Sequence, residues 1–217
     1  MARELAYTER AAVTIGPYVS YPGSAAQTIE GFVRVHQDGE PVPEALRVTM
    51  GKQGHLMLPC EEAEVAQDGT FIYAGILNPS YGHFITEGVA RLWYAREHPE
   101  LPIIWHSRAD ALSEMQLTIL GILGIRNPHV FVRKPTRYAN VVFPLPGAGL
   151  GSYFLKEQGE FMGVVEPASM VPGKKIYLSR GRLGGARGIS EDDDAIEAML
   201  REQGFTIYQP ERHSILE

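Results

Sequence analysis

The sequence predicts an α/β protein organised around a largely parallel sheet, and three observations predict it. Apolar runs of strand length at residues 101–105, 129–132 and 138–143 alternate with segments that carry helix starts and stops. A second strand–loop–helix–strand pattern opens at Lys175 and reaches Tyr208. Composition is ordinary for a globular chain, with 44% hydrophobic and 21% charged residues over 217 positions.

Taken in order, residues 1–75 read as a β-rich N-terminal segment of short strands and turns. Val13-Thr14-Ile15 and Phe32-Val33-Arg34-Val35 have strand character, and Gln37-Asp38-Gly39 and Gln67-Asp68-Gly69 are turn sequences because Asp-Gly tolerates positive φ. His36 and His55, set among these turn signals, read as surface residues. From Gly75 the pattern changes to that of an α/β domain covering 76–150. Asn78-Pro79-Ser80 predicts a helix start with Ser80 as cap, and the helix runs over 81–97 until Pro99 and Pro102 prevent its continuation. Ser113 caps a second helix that Gly124 ends. Residues 151–173, rich in glycine and proline, read as a linker with a short helix near 153–158, and 174–217 as a partial βαβ domain. In this last segment Ser190 is the expected helix cap and Gly204 the expected stop.

Charge and cysteine content exclude several classes. A net charge of −6 argues against a nucleic-acid binder, which needs a basic surface. The single cysteine, Cys60, cannot form an intrachain disulfide and reads as a buried inert thiol. No apolar run reaches the roughly 18 residues of a membrane span, and residues 1–20 lack a secretory apolar segment, so the sequence predicts a cytoplasmic protein. Peripheral membrane association and oligomerisation stay open.

Two stretches can carry chemistry. His83, Glu87 and Arg91 recur at intervals of four and would stack along one helix face. As structure alone this is a solvated stripe with a Glu87–Arg91 pair worth a few tenths of a kcal/mol. As function it is a carboxylate on a rigid element, able to take a proton from a hydroxyl with His83 to orient it. The second stretch, residues 179–188, places Arg180, Arg182 and Arg187 among glycines between a strand and a helix. Backbone amides, helix N-terminus and forked guanidinium donors there suit an anion, although glycine with arginine also makes plain surface turns. Glu191-Asp192-Asp193-Asp194 follows directly. Acids in a first helical turn complement the helix dipole, so no metal is assigned to them. His106-Ser107 with Asp110 is discounted as a hydrolase triad because sequence neighbours rarely form one.

The run from Asn78 to Trp93 resembles the N-x-x-x-x-H-x-x-x-[DE]-x-x-x-R-L element of glycosyltransferase family 61, which includes capsular-polysaccharide enzymes. Lys175-Ile176-Tyr177-Leu178-Ser179-Arg180, then Arg187, Glu191-Asp192 and Gly204-Phe205, resembles that family's second signature. The resemblance implies two Rossmann-like domains of the GT-B type, the second incomplete because the chain stops within the donor domain. It implies inverting, metal-independent transfer from a nucleotide sugar to a saccharide acceptor in polysaccharide biosynthesis, with no cofactor. Glu87 and His83 would then be catalytic, Asn78 and Arg91 acceptor-side, and Arg180, Arg187 and Arg182 the donor-phosphate ligands. Two other readings of the residues remain beside it: a non-catalytic nucleotide- or anion-binding module, and the interaction half of a split enzyme.

Overall fold

In the computed structural model, residues 6–20, 31–46, 48–49, 52–53, 57–149, 151–163, 173–179 and 192–215 are described. The chain divides into two compact units, Met1–Val165 and Glu166–Glu217.

The first unit is mixed α/β around a seven-stranded sheet. Across the sheet run His129–Phe131, Ile103–His106, Val65–Ile76, Thr136–Pro144, Tyr7–Ile15, Val35–Gln37 and Glu40–Pro41. The first four are mutually parallel. Numbered along the chain from Val65, those four lie in the order third, second, first, fourth, so the order reverses between Val65–Ile76 and Thr136–Pro144. The remaining strands are antiparallel: Tyr7–Ile15 pairs with Thr136–Pro144 on one side and with Val35–Gln37 on the other.

Period-two alternation divides the core between the sheet faces. Ile72, Ala74, Ile103, Trp105 and Val142 join one cluster with Phe84, Leu92, Leu120 and Phe161 from the helices. Their neighbours Phe71, Tyr73, Ile104, Val141 and Phe143 join the other, with Val13, Ile15 and Tyr138. Ile103–His106 is buried at every position, as a parallel strand covered on both faces must be.

Residues 1–75 are therefore no separate segment. Tyr7–Ile15 alternates in exposure and covers the edge of Thr136–Pro144, while Val65–Ile76, which straddles the expected boundary, is an interior strand of the sheet. Asp38 and Gly39, at φ 51° and 84°, make the two-residue hairpin that their sequence predicts. Gln67-Asp68-Gly69 does not turn. Gly69 adopts φ 102° inside Val65–Ile76, where the register against Tyr138–Asn140 shifts. The positive φ produces a bulge because strand pairing continues on both sides of it. His36 is buried rather than superficial, since it lies in a core strand, and burial lowers its pKa. His55 lies outside the described residues. Cys60 is half-buried, and burial raises its thiol pKa.

Helix Glu114–Ile122 starts with a reciprocal cap. Gln116 N donates to Ser113 Oγ at 3.3 Å and Ser113 N donates to Gln116 Oε1 at 2.9 Å. Gly124, at φ 76°, follows its end. Ser113→Ala is expected to lower stability by about 1 kcal/mol, read as a lower urea midpoint at unchanged slope.

Residues 151–163, expected as linker, belong to the first unit. Tyr153–Phe154 pairs antiparallel with Ala148–Gly149, and helix Lys156–Met162 buries Gln158 and Phe161. The buried Phe161 anchors this segment in the core despite its glycines. In the second unit Lys175–Leu178 and Phe205–Tyr208 are parallel neighbours, and helix Asp193–Glu202 lies between them in the chain. Gly204 adopts φ 81° after that helix. The expected cap Ser190 lies outside the described residues. Among the described residues no helix is long and apolar enough to cross a membrane.

Candidate functional site

The carboxyl end of Val65–Ile76 leads into the segment that carries His83 and Glu87. Leu77 N donates to His106 O at 2.8 Å, which ties the strand exit to its neighbour. Asn78 is buried; its Oδ1 accepts from Ser80 N at 2.9 Å, and its carbonyl accepts from Gln116 Nε2 at 2.8 Å. The side chain that organises this helix start is thus Asn78, whereas the expected cap Ser80 makes no side-chain capping bond. The Asn78 amide nitrogen is buried with no hydrogen-bond partner among the described residues.

Tyr81–His83 is α-helical, Phe84–Gly88 is a π-helical turn, and Trp93–Glu97 is α-helical again. Val89 N donates to Phe84 O at 3.0 Å, a span of five residues. Gly88 permits this packing: a Cβ there would stand 2.7 Å from Phe84 Cδ2. The expected uninterrupted helix over 81–97 is thereby broken. One extra residue in a turn rotates everything after it by about 100°, and such turns are frequent at functional sites.

The rotation separates the predicted stripe. His83 and Glu87 stay together, with Nδ1 and Oε2 3.2 Å apart and side-chain exposures of 37% and 13%. The carboxylate is thus held by an imidazole through Oε2, while Oε1 is buried and the side chain as a whole keeps 13% of its surface exposed. Arg91 turns inward instead. Its guanidinium donates to Pro144 O, to Glu44 O at 2.7 Å and to Leu46 O at 3.3 Å, and lies 6.0 Å from the Tyr73 ring centroid. Burial lowers its pKa, opposed by Tyr73, Tyr153 and Glu44. Arg91, expected either as the partner of Glu87 on a solvated stripe or as an acceptor-side group, is instead an internal brace joining the helix to the end of Thr136–Pro144 and to the 43–45 turn.

Beside the π-helical turn lies a pocket of about 350 Å³. Ile85 and Thr86 contribute to one part of its wall, and Gly149, Tyr153, Phe154 and Met162 to another. Both groups belong to segments that follow the carboxyl ends of Val65–Ile76 and Thr136–Pro144, the two strands between which the order reverses. Sequence reasoning missed this pocket because residues 148–154 show only glycines and turn formers around two aromatic rings.

Arg180, Arg182 and Arg187 lie outside the described residues. Ser179, next to them in the chain, is described. Its amide donates to Tyr208 O at 2.8 Å, extending the parallel pairing, and its hydroxyl donates to Glu197 Oε1. Glu197 also accepts from Arg201 Nη2 at 2.8 Å and from Gln209 Nε2 at 3.4 Å. These bonds, the one from Ser179 first, hold its carboxyl below the ordinary range. Nothing in the sequence marked Glu197 beyond its place in an amphipathic helix.

A carboxyl whose folded pKa is depressed stabilises the fold above the unfolded value and loses that contribution as pH falls through the folded one. The second unit is expected to weaken below about pH 4.3, the unperturbed glutamate value. Glu197→Gln should flatten that acid dependence, followed by circular dichroism between pH 7 and pH 2.

The discounted hydrolase grouping does not assemble. His106 is fully buried against Tyr73, Ser107 Oγ accepts from Ala109 N, and Asp110 pairs with Arg133 at 2.6 Å. Among the described residues no group of three or more His, Cys, Asp or Glu side chains could hold a metal ion. No protein-family model, curated protein or solved structure matches the chain.

Proposed function

We propose that the chain carries an inverting, metal-independent sugar-transfer site, in which a saccharide hydroxyl displaces the diphosphate of a nucleotide sugar. The supporting observation is the His83–Glu87 pair, 3.2 Å apart and partly open to solvent, on the segment leaving the carboxyl end of a parallel strand. Ligands of open α/β sheets bind outside the carboxyl ends of the strands, where strand order reverses. By that analogy the four parallel strands form a Rossmann-like acceptor layer, and Lys175–Leu178 with Phe205–Tyr208 begins a donor layer of the GT-B type. The same reading puts the chain in cytoplasmic polysaccharide biosynthesis.

Glu87 takes the proton of the acceptor hydroxyl, and His83 orients the carboxylate. The acceptor oxygen then bonds to the anomeric carbon as the bond from that carbon to the diphosphate oxygen breaks. The electron pair leaves with the diphosphate, and the configuration inverts. On sequence context alone, Arg180, Arg182 and Arg187 are the guanidinium donors assigned to the nucleotide-sugar diphosphate. Asn78 anchors the segment from which the base projects.

The test is release of nucleoside diphosphate from uridine- and guanosine-diphosphate sugars, with and without oligosaccharide acceptors, in the presence of EDTA. Acceptor-dependent release supports the proposal. Nucleotide binding without release under every acceptor condition would replace it with a non-catalytic nucleotide-binding module.

A further inference from the structure

The pocket beside the π-helical turn has no part in the steps above, and its chemistry is distinctive. Its lining consists of methyl, methylene and ring surface from Ile85, Tyr153, Phe154 and Met162, with the backbone of Gly149 and Gly151. No charged side chain among the described residues lines it. Most polar groups in the wall are engaged within the protein: Thr86 Oγ1 donates to Gly82 O at 2.8 Å, Tyr153 Oη to Pro146 O at 2.9 Å, and Ser152 N to Gly149 O at 2.9 Å, which leaves the Ser152 hydroxyl as the wall's one neutral side-chain donor among the described residues. Such a wall would strip water from a phosphate or a sugar hydroxyl without replacing its hydrogen bonds, which is costly. Its occupant is therefore neutral and apolar.

Size narrows the class. The volume of about 350 Å³ is at the lower end of small-molecule sites and over twice the roughly 150 Å³ of an engineered cavity that admits benzene. An aryl ring or a medium alkyl chain fits, and the apolar lining rather than the volume disfavours a nucleotide. Phe154 is 60% exposed, and an occupant of the pocket would cover part of that surface. Ile85 and Thr86 stand between His83 and Glu87 in the chain, so the same turn carries both the apolar wall and the carboxylate.

We propose that this pocket binds an apolar aglycone, an alkyl chain or aryl ring attached to the acceptor sugar, and so selects glycosides over free saccharides. The inference rests on the sugar-transfer reading only for the role of the attached sugar; apolar binding stands apart from it.

The experiment compares n-octyl, phenyl and methyl β-D-glucopyranoside, each below its micelle concentration, by calorimetry and by amide chemical-shift mapping of the whole chain. The octyl or the phenyl glucoside is expected to saturate at least tenfold tighter than the methyl glucoside, with shifts centred on Ile85, Gly149, Phe154 and Met162. Which of the two wins tells a chain-shaped from a ring-shaped occupant. Ala148→Phe, which fills the pocket, should abolish the preference, and Met162→Ala should move it toward the larger aglycone. Equal affinity for all three glucosides, or shifts centred elsewhere, overturns the proposal. Selective apolar binding together with full transfer activity in Glu87→Gln would keep the pocket and reject the base.

Discussion

Glu87→Gln is expected to lower sugar transfer by at least about 10²-fold while lowering stability by no more than about 1–2 kcal/mol, the worth of one hydrogen bond in a partly buried setting. Glutamine matches glutamate in shape and can keep a hydrogen bond to His83, but it cannot hold the proton released by the acceptor. The exchange thus removes proton transfer and little else. If nucleotide binding persists while transfer stops, the loss lies in chemistry. Transfer at the parent rate would exclude Glu87 as base, whatever the fate of the pocket next to it.

Arg91→Met is expected to destabilise the first unit by about 2–4 kcal/mol, because it strands backbone acceptors that the guanidinium satisfies. The change removes a guanidinium that serves three backbone carbonyls, those of Pro144, Glu44 and Leu46. Each buried acceptor left alone costs about 1–3 kcal/mol. Methionine fills much of the volume, so the loss reports on hydrogen bonding more than on a cavity. Arg91→Lys should recover only a fraction, because one ammonium cannot reproduce the planar fork. The measurement is the urea midpoint of the chain. A loss below about 1 kcal/mol would show that the brace contributes no more than an ordinary surface pair.

Ile103–His106, His129–Phe131 and Thr136–Pro144 were legible in the sequence because each carries a short apolar run with clear ends, whereas Val65–Ile76, exposed over its first half, was not. The Ser113 cap and the Asp38-Gly39 hairpin were equally legible, since their local chemistry admits few alternatives. Gln67-Asp68-Gly69 was not, because a positive-φ glycine serves a turn or a bulge alike and only pairing partners decide. The same limit hid the union of Tyr7–Ile15 with the parallel strands, which depends on contacts with residues more than a hundred positions away.

At the candidate site, spacing anticipated that His83 and Glu87 lie side by side but misdirected Arg91. A four-residue interval implies a shared face only while the helix keeps its period, and the Phe84 ring against Gly88 changes that period. The Asn78 amide, the apolar pocket and the Ser179–Glu197 bond each depend on packing, for which no local pattern exists. The predicted phosphate ligands Arg180, Arg182 and Arg187 rest on their sequence context alone.

Stereochemistry at the transferred sugar tests the central claim most directly. Proton NMR of the first-formed product, followed through the anomeric coupling constant during early turnover, reports the configuration before any equilibration. A single displacement assisted by Glu87 requires the product to carry the anomeric configuration opposite to that of the donor. A product that retains the donor's configuration would contradict the account.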